Sequence, residues 1–268
     1  MVVLLPLSFS ALSMAILKSK EEIEIMRVAG EKLGRILQEL KAMVRPGLST
    51  HFFEEESRRL IREAGTEPVF LNYQPVGAKV PYPAVLCIGL NDAVVHTPPR
   101  KDLILKEGDV VKLDLGLRYK GLCVDAAITV AIPPVSSEVS RLIETTSLAL
   151  DFAIKTAILG NTLGDIGHVI ETTVEGAGFS IVRDLTGHGI GTELHEEPSV
   201  FNFGRVGKGI KLQPGMVIAI EPITALGNGR IRQVSDDSYV TADQSVAAHF
   251  EHTVAITEDG PKVLTAAS

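Results

Sequence analysis

The chain has 268 residues, of which 45% are hydrophobic and 22% charged, enough apolar surface to bury one large core or two tightly joined half-domains and too much to leave it disordered. A formal charge of -7 argues against broad nucleic-acid binding. The two cysteines, Cys87 and Cys123, exclude a disulfide framework and a CxxC site, so a reducing cytosol is the simplest compartment.

The first residues, MVVLLPLSFSALS, are apolar but too short to span a bilayer and lack the basic start of a secretory signal, since Lys18 and Lys20 follow the run. Residues 1–13 are therefore expected to be a non-structural amino-terminal extension, with export as the less favoured alternative, and residues 14–268 a single domain. Ser19 and Glu22 form a capping-box pattern, and Ile23, Met26, Gly30, Leu33, Ile36, Leu37, Leu40 and Val44 recur at helical spacing. Pro46 and Gly47 stop that helix. Ser49 or Thr50 caps a second, with Phe53, Leu60, Ile61 and Ala64 as its buried stripe and Gly65 at its end. From Val69 to Val95, short apolar runs broken by Pro75, Pro81, Pro83, Gly77 and Gly89 predict short strands and an exposed loop, followed by His96 in VVHTPP.

Leu105 to Asp125 reads as a β-hairpin bearing two acids, Asp114 and Asp125, within apolar strand-forming runs. A turn centred on Tyr119 and Lys120 places these acids opposite each other, where they repel. A core strand pair tolerates that if one acid is protonated, a cationic side chain pairs with them, or a metal ion lies between them. A third helix is marked by Val139, Leu142, Ile143, Leu150, Ile154 and Ile158, and a fourth, capped by Thr162 and Asp165, by Leu163, Ile166, Val169, Ile170, Val174 and Ala177. These two helices echo the first two: Gly47 to Ala64-Gly65 and Gly160 to Ala177-Gly178 are equally spaced. The echo continues in the strands, LKEGDVVKLD ending on Asp114 and LQPGMVIAIE on Glu221, while Asp125 and Glu251 each precede a TVAI run at an even interval. Two halves of helix, helix, strand and strand imply a pseudo-two-fold α+β fold, with the sheet cores joined and the helices outside.

Four convergent carboxylates cannot share a site as bare anions. His188, among Gly187, Gly189 and Gly191, offers a ligand nitrogen, and His195 follows seven residues on; no helix follows to make the glycines a phosphate cradle. Asp114, Asp125, His188, Glu221 and Glu251 form an oxygen-rich set with one imidazole, suited to two divalent cations such as Mn, Fe, Co or Zn. Paired ions about 3.5–4 Å apart lower the pKa of a water between them and polarise a carbonyl, which is hydrolytic chemistry.

The segments VVHTPP, VKLDLG, GLCVDAA, GHGIGTELHEEP, VIAIEP and AHFEHT, in this order, resemble the type I methionine aminopeptidases of the pita-bread fold, from Met14 to Thr265. The resemblance implies that Asp114, Asp125, His188, Glu221 and Glu251 are the metal ligands, with Asp125 and Glu251 bridging. It implies that His96 contacts the substrate near the scissile amide, that His195 stabilises the tetrahedral intermediate, and that Glu221 also shuttles a proton to the leaving amine. Tyr82 and Cys87 match pocket-lining positions in a YP-x-x-x-C pattern. The implied activity is removal of the initiator methionine from nascent proteins and peptides whose second residue is small. Nascent chains and peptides would be its partners, ribosome association is compatible, no specific nucleic acid or membrane is implied, and a cytoplasmic monomer is the family default. Three features depart from the family pattern: Leu194 replaces a phenylalanine before His195, Ala126 and Ala127 replace Thr-Ser, and tryptophan is absent. No zinc-finger extension and no long insertion between His195 and Glu251 is seen, which favours type I over type II. Two alternatives stay open. One is a proline-directed dipeptidase or aminopeptidase of the same fold, which usually carries a large extra amino-terminal domain. The other is a non-catalytic pita-bread binding protein, which should have lost a metal ligand.

Overall fold

The computed structural model describes residues 15–74 and 79–267, together with the backbone of residues 3 and 4. The extension expected over residues 1–13 lies outside the described residues except for Val3–Leu4, which pairs antiparallel with Leu185 and Thr186.

The four expected helices form where their caps and stripes put them: α1 (Lys20–Met43), α2 (Thr50–Glu63), α3 (Ser137–Thr156) and α4 (Leu163–Gly176). Ser19 and Thr162 each close a reciprocal capping box, with Glu22 and Asp165, and Ser49 caps α2 by accepting from the Phe52 amide. Each such cap satisfies an otherwise orphaned amide and is worth about 1 kcal/mol. The stripe of α1 is buried at Met26, Gly30, Leu33, Ile36, Leu37 and Leu40. One stripe residue differs: Ile158 lies beyond the end of α3 and is 44% exposed, because the helix stops at Thr156 before its face can turn Ile158 inward.

The internal repeat is present in the backbone. Gly47 and Gly160 both adopt left-handed φ, at 91° and 94°, as do Gly108 and Gly215, at 87° and 89°. An isolated bridge ties the cap of α2 to a distant segment, Ser49 to Ile104, and its counterpart ties the cap of α4, Thr162 to Lys211.

A ten-stranded sheet joins the halves. The hairpin strands Val110–Tyr119 and Leu122–Ala131 lie beside Glu251–Thr257, which pairs with Val217–Ile220, and that strand in turn with Leu185–Gly189. Alternation along the strands separates the two faces. Leu113, Leu115 and Leu117, with Val124 and Ala126 across from them, pack into one core with α1 and α2. Ile218, Ile220, Val254 and Ile256 pack into a second core with α3 and α4. Helices therefore cover one face, and the acids, at the intervening positions, point to the other. Buried Glu54 of α2 accepts from the Val85 and Leu86 amides, which fixes the chain entering the strand Cys87–Leu90.

Candidate metal centre

The hairpin register differs from expectation. Asp114 faces Ala127 and Asp125 faces Gly116, because the turn is made by Lys120 and Gly121, both at left-handed φ (48° and 83°). Positive φ at both positions is the type I′ two-residue turn, whose twist matches that of the strands, and Gly121 supplies one of the two without strain. A shift of two residues keeps both acids on the same face, so they approach diagonally.

This register builds a cross-sheet row: Cys87 pairs with Asp114, Asp114 with Ala127, and Ala127 with Glu251. The Ala127 methyl leaves space between the Asp114 and Glu251 side chains that a longer residue would fill. Asp125 lies one row over, opposite Gly116, where a Cβ would come within 2.4 Å of Val69 and 3.3 Å of the Asp125 carboxylate. Asp125 is fixed where the halves meet. Its amide donates to Thr253 Oγ1 (2.9 Å), its carbonyl accepts from that hydroxyl (2.8 Å), and its Oδ1 accepts from the Ala126 amide (3.0 Å).

The second half supplies the remaining groups. His188 lies within Leu185–Gly189, whose Gly189 pairs with Ile218, and Glu221 follows the end of Val217–Ile220. His188 Nδ1 is 2.8 Å from the Gly189 carbonyl oxygen, which can only accept, so the ring proton is on Nδ1 and Nε2 carries a lone pair. That Nε2 is 3.7 Å from Glu221 Oε1. Two groups of ligand atoms converge, each within 4.8 Å of one another: Asp125, His188 and Glu251, and Glu221, His249 and Glu251. Glu251 belongs to both. Asp114 stands in the same row but in neither group.

All of these side chains are buried, with at most 1% exposure. Burial, and then repulsion from Asp125, pushes the Asp114 carboxyl up to about 6; burial and Glu221 raise Asp125. Burial raises Glu221 and Glu251 well above the carboxylate range, reinforced at Glu251 by Asp125, Glu221 and Asp114. Burial lowers His188 to about 3 and His249 to about 4, so both imidazoles are neutral. Among the described residues, both Glu221 oxygens, Glu251 Oε1, His188 Nε2 and both His249 nitrogens have no hydrogen-bond partner. Leaving a buried polar atom unsatisfied costs about 1–3 kcal/mol, and here several orphaned acceptors face one another. Oxygen acceptors and imidazole lone pairs in this arrangement fit divalent cations, which satisfy the acceptors and cancel the repulsion.

The proton-handling candidates lie around this cluster. The His195 ring centre is 4.4 Å from that of His188, and burial, then the neighbouring His188, hold its pKa well below the usual value. Its Nδ1 is 2.7 Å from the Tyr73 hydroxyl. His96 adopts a left-handed φ of 58°, uncommon outside glycine and concentrated at functional sites, with its ring 5.5 Å from that of Tyr239. Tyr82 directs its hydroxyl to the carbonyls of Leu86 (3.0 Å) and Thr97 (2.9 Å), bracing the segment that carries His96. Cys87 stays a thiol, pushed up to about 12 by burial and then by Asp114, and Leu194 is buried in the first-half core. Sequence reasoning missed His249 and Tyr73. His249 had a signal, since it precedes Glu251 by two residues, the interval that keeps side chains on one face; Tyr73 had none, being a loop residue brought to His195 by the fold.

A model of metallopeptidase family M24 matches residues 24–258. The chain is 41% identical over 253 residues to a methionine aminopeptidase of Clostridium acetobutylicum, covering 94% of this chain and 99% of that protein. It is 44% identical over 252 residues to a methionine aminopeptidase of Aquifex aeolicus, covering 93% and 98%. The crystal structure of a methionine aminopeptidase from Thermotoga maritima superposes with a TM-score of 0.90 at 38% identity, over 94% of this chain and all of that one. A prolidase from Pyrococcus furiosus shares the fold alone, with a TM-score of 0.74 at 23% identity over 95% of this chain and 66% of that one.

Proposed function

The chain belongs to metallopeptidase family M24, and from that premise we propose that it removes the amino-terminal methionine from nascent proteins and peptides whose second residue is small, using two divalent cations. One observation carries the metal part of this reading: buried Asp125, Glu221 and Glu251 converge with His188 in the middle of the sheet, and both Glu221 oxygens, Glu251 Oε1 and His188 Nε2 have no hydrogen-bond partner among the described residues. The substrate class rests on the shared name of relatives that cover nearly the whole chain. Asp114, Asp125, His188, Glu221 and Glu251 would hold the cations, with Mn, Fe, Co and Zn all compatible with this donor set. Bound cations supply Lewis acidity, lowering the pKa of the attacking water and polarising the scissile carbonyl.

The chain's own residues handle substrate and protons. Burial raises the Tyr73 phenol, so Tyr73 keeps its proton. Donated to His195 Nδ1, that proton leaves the hydrogen of the neutral imidazole on Nε2, which has no partner among the described residues. Such an N–H is suited to the oxygen on which negative charge develops. His96 contacts the substrate beside the scissile amide, and Glu221 carries the proton from the attacking water to the leaving amine. Leu194, Tyr82 and Cys87 line or brace the methionine pocket. A proline-directed activity gains no support beyond the common fold.

The test is hydrolysis of Met-Gly-Met by protein stripped with chelator and then reloaded with Mn or Co, with X-Pro dipeptides in parallel. Turnover of the methionyl peptide that disappears with chelator and returns with metal is expected. Turnover of the X-Pro substrates alone would move the chain to the proline-directed branch, and no turnover with any metal would refute the activity.

A further inference from the structure

His249 lies outside the five acid and imidazole positions assigned to the metals, yet it is buried at 1% exposure with neither ring nitrogen hydrogen-bonded among the described residues. Its position is fixed by the fold. The strand Ala247–His249 pairs with Ile223–Ala225, placing His249 opposite Ile223, and the His249 amide and carbonyl both bind the Thr129 hydroxyl, at 2.9 and 2.7 Å. The chain then passes through Phe250 into Glu251–Thr257 of the large sheet, so His249 and Glu251 reach the same point from two sheets. His249 Nε2 stands 3.5 Å from Glu221 Oε2 and 3.7 Å from Glu251 Oε2.

These separations are too long for hydrogen bonds. They match instead the spacing of donors around a single ion: ligand atoms about 2.0–2.2 Å from a metal are roughly 3–3.6 Å from one another in octahedral or tetrahedral arrangements. The second imidazole mirrors the first. His188 Nε2 faces Glu221 Oε1 at 3.7 Å, while His249 Nε2 faces Oε2 of the same carboxylate. The two convergent groups share Glu251 and contain one imidazole each.

We infer that His249 is a sixth protein ligand, binding a cation through Nε2 where Glu221 and Glu251 converge, so that two imidazoles serve the centre. This inference rests on the proposed metal centre. It alters that centre's chemistry, because a second imidazole moves the donor set away from hard, all-oxygen ions such as Mg and toward Co, Zn and Ni.

Two measurements on the whole chain test it. Calorimetric titration of metal-free protein with Co(II) gives the number and strength of sites in the wild type and in His249→Gln, whose melting temperature in chelator reports whether the fold survives. Proton NMR of the Co(II)-loaded wild type needs no variant. Each ligating imidazole contributes one strongly shifted, solvent-exchangeable ring N–H signal, so two are expected, with one lost in His249→Gln. The weaker Co(II) association constant should fall at least about tenfold in the variant while the stronger changes little. A single exchangeable signal in the wild type, or unchanged binding in a folded His249→Gln, overturns the inference and leaves the five-ligand centre standing. A wild type that binds no Co(II) overturns both.

Discussion

The two halves of the molecule share a backbone frame and differ in what they place on it. Gly47 and Gly160, Gly108 and Gly215, and the bridged caps Ser49 and Thr162 occupy equivalent positions with matching backbone geometry. The acids are equivalent as well, Asp114 with Glu221 and Asp125 with Glu251, but the first half uses aspartate and the second glutamate. Both glutamates fall within the convergent ligand groups, whereas Asp114 does not. Asp125, an aspartate, reaches one of these groups as well, so the extra methylene alone does not decide which acids meet. The second half also supplies both imidazoles of those groups, His188 and His249. A duplicated frame thus fixes where side chains start, while the position and type of each side chain decide which meet.

The largest expected effect follows from Glu251 being common to both groups. Glu251→Gln should lower methionyl-peptide turnover by more than the ~10–100-fold that loss of an outer supporting group costs, and Asp114→Asn should cost less than Glu251→Gln. Steady-state rates at saturating metal check the order; a greater loss at Asp114 would break the contrast between the halves.

A smaller effect concerns pH. The folded Asp114 carboxyl sits at about 6, above its unfolded value near 4. The folded state therefore binds the proton more tightly, and the stability this contributes is fully present at low pH and lost as pH rises from about 4 to about 6. His188 and His249, lowered to about 3 and 4, act in the opposite direction over much of this range. The difference between wild type and Asp114→Asn isolates the carboxyl. In chelator, the variant should gain melting temperature relative to wild type between pH 4 and pH 6. A flat difference would mean that folding does not shift the Asp114 carboxyl.

The smallest effect sharpens the likeness of the halves. Cβ atoms built at Gly47 and Gly160 meet nothing within 4 Å, so alanine there costs only the left-handed backbone, about 1–2 kcal/mol. Gly47→Ala and Gly160→Ala should lose similar stability by denaturant unfolding and leave turnover unchanged. Unequal losses would show that the two turns are not equivalent.

Much of this was legible because it is local. Capping boxes, the α1 stripe and the glycine spacing are encoded within a few residues, and the parity of acids along strands is encoded in their numbers. The hairpin register was missed because the turn could have centred on either side of Lys120, and only the positive φ demanded of both turn residues selects Lys120 and Gly121. Ile158 continued a helical pattern past the end of the helix, where periodicity no longer governs burial. His249 was hidden by the change of sheet at Phe250, although its interval from Glu251 was readable. The contact of Tyr73 with His195 spans 122 residues and left no pattern in the sequence.

The central claim is that the buried acids are held together by divalent cations, and Asp125→Asn tests it through thermal melts in chelator and in Mn or Co. Metal should raise the wild-type melting temperature and raise that of the variant less. In chelator the variant should melt no lower than wild type, because one of several mutually repelling carboxylates has been neutralised. A wild type that gains nothing from any divalent ion, together with a variant that melts lower in chelator, would show that Asp125 pairs with a cationic side chain and would contradict the metal centre.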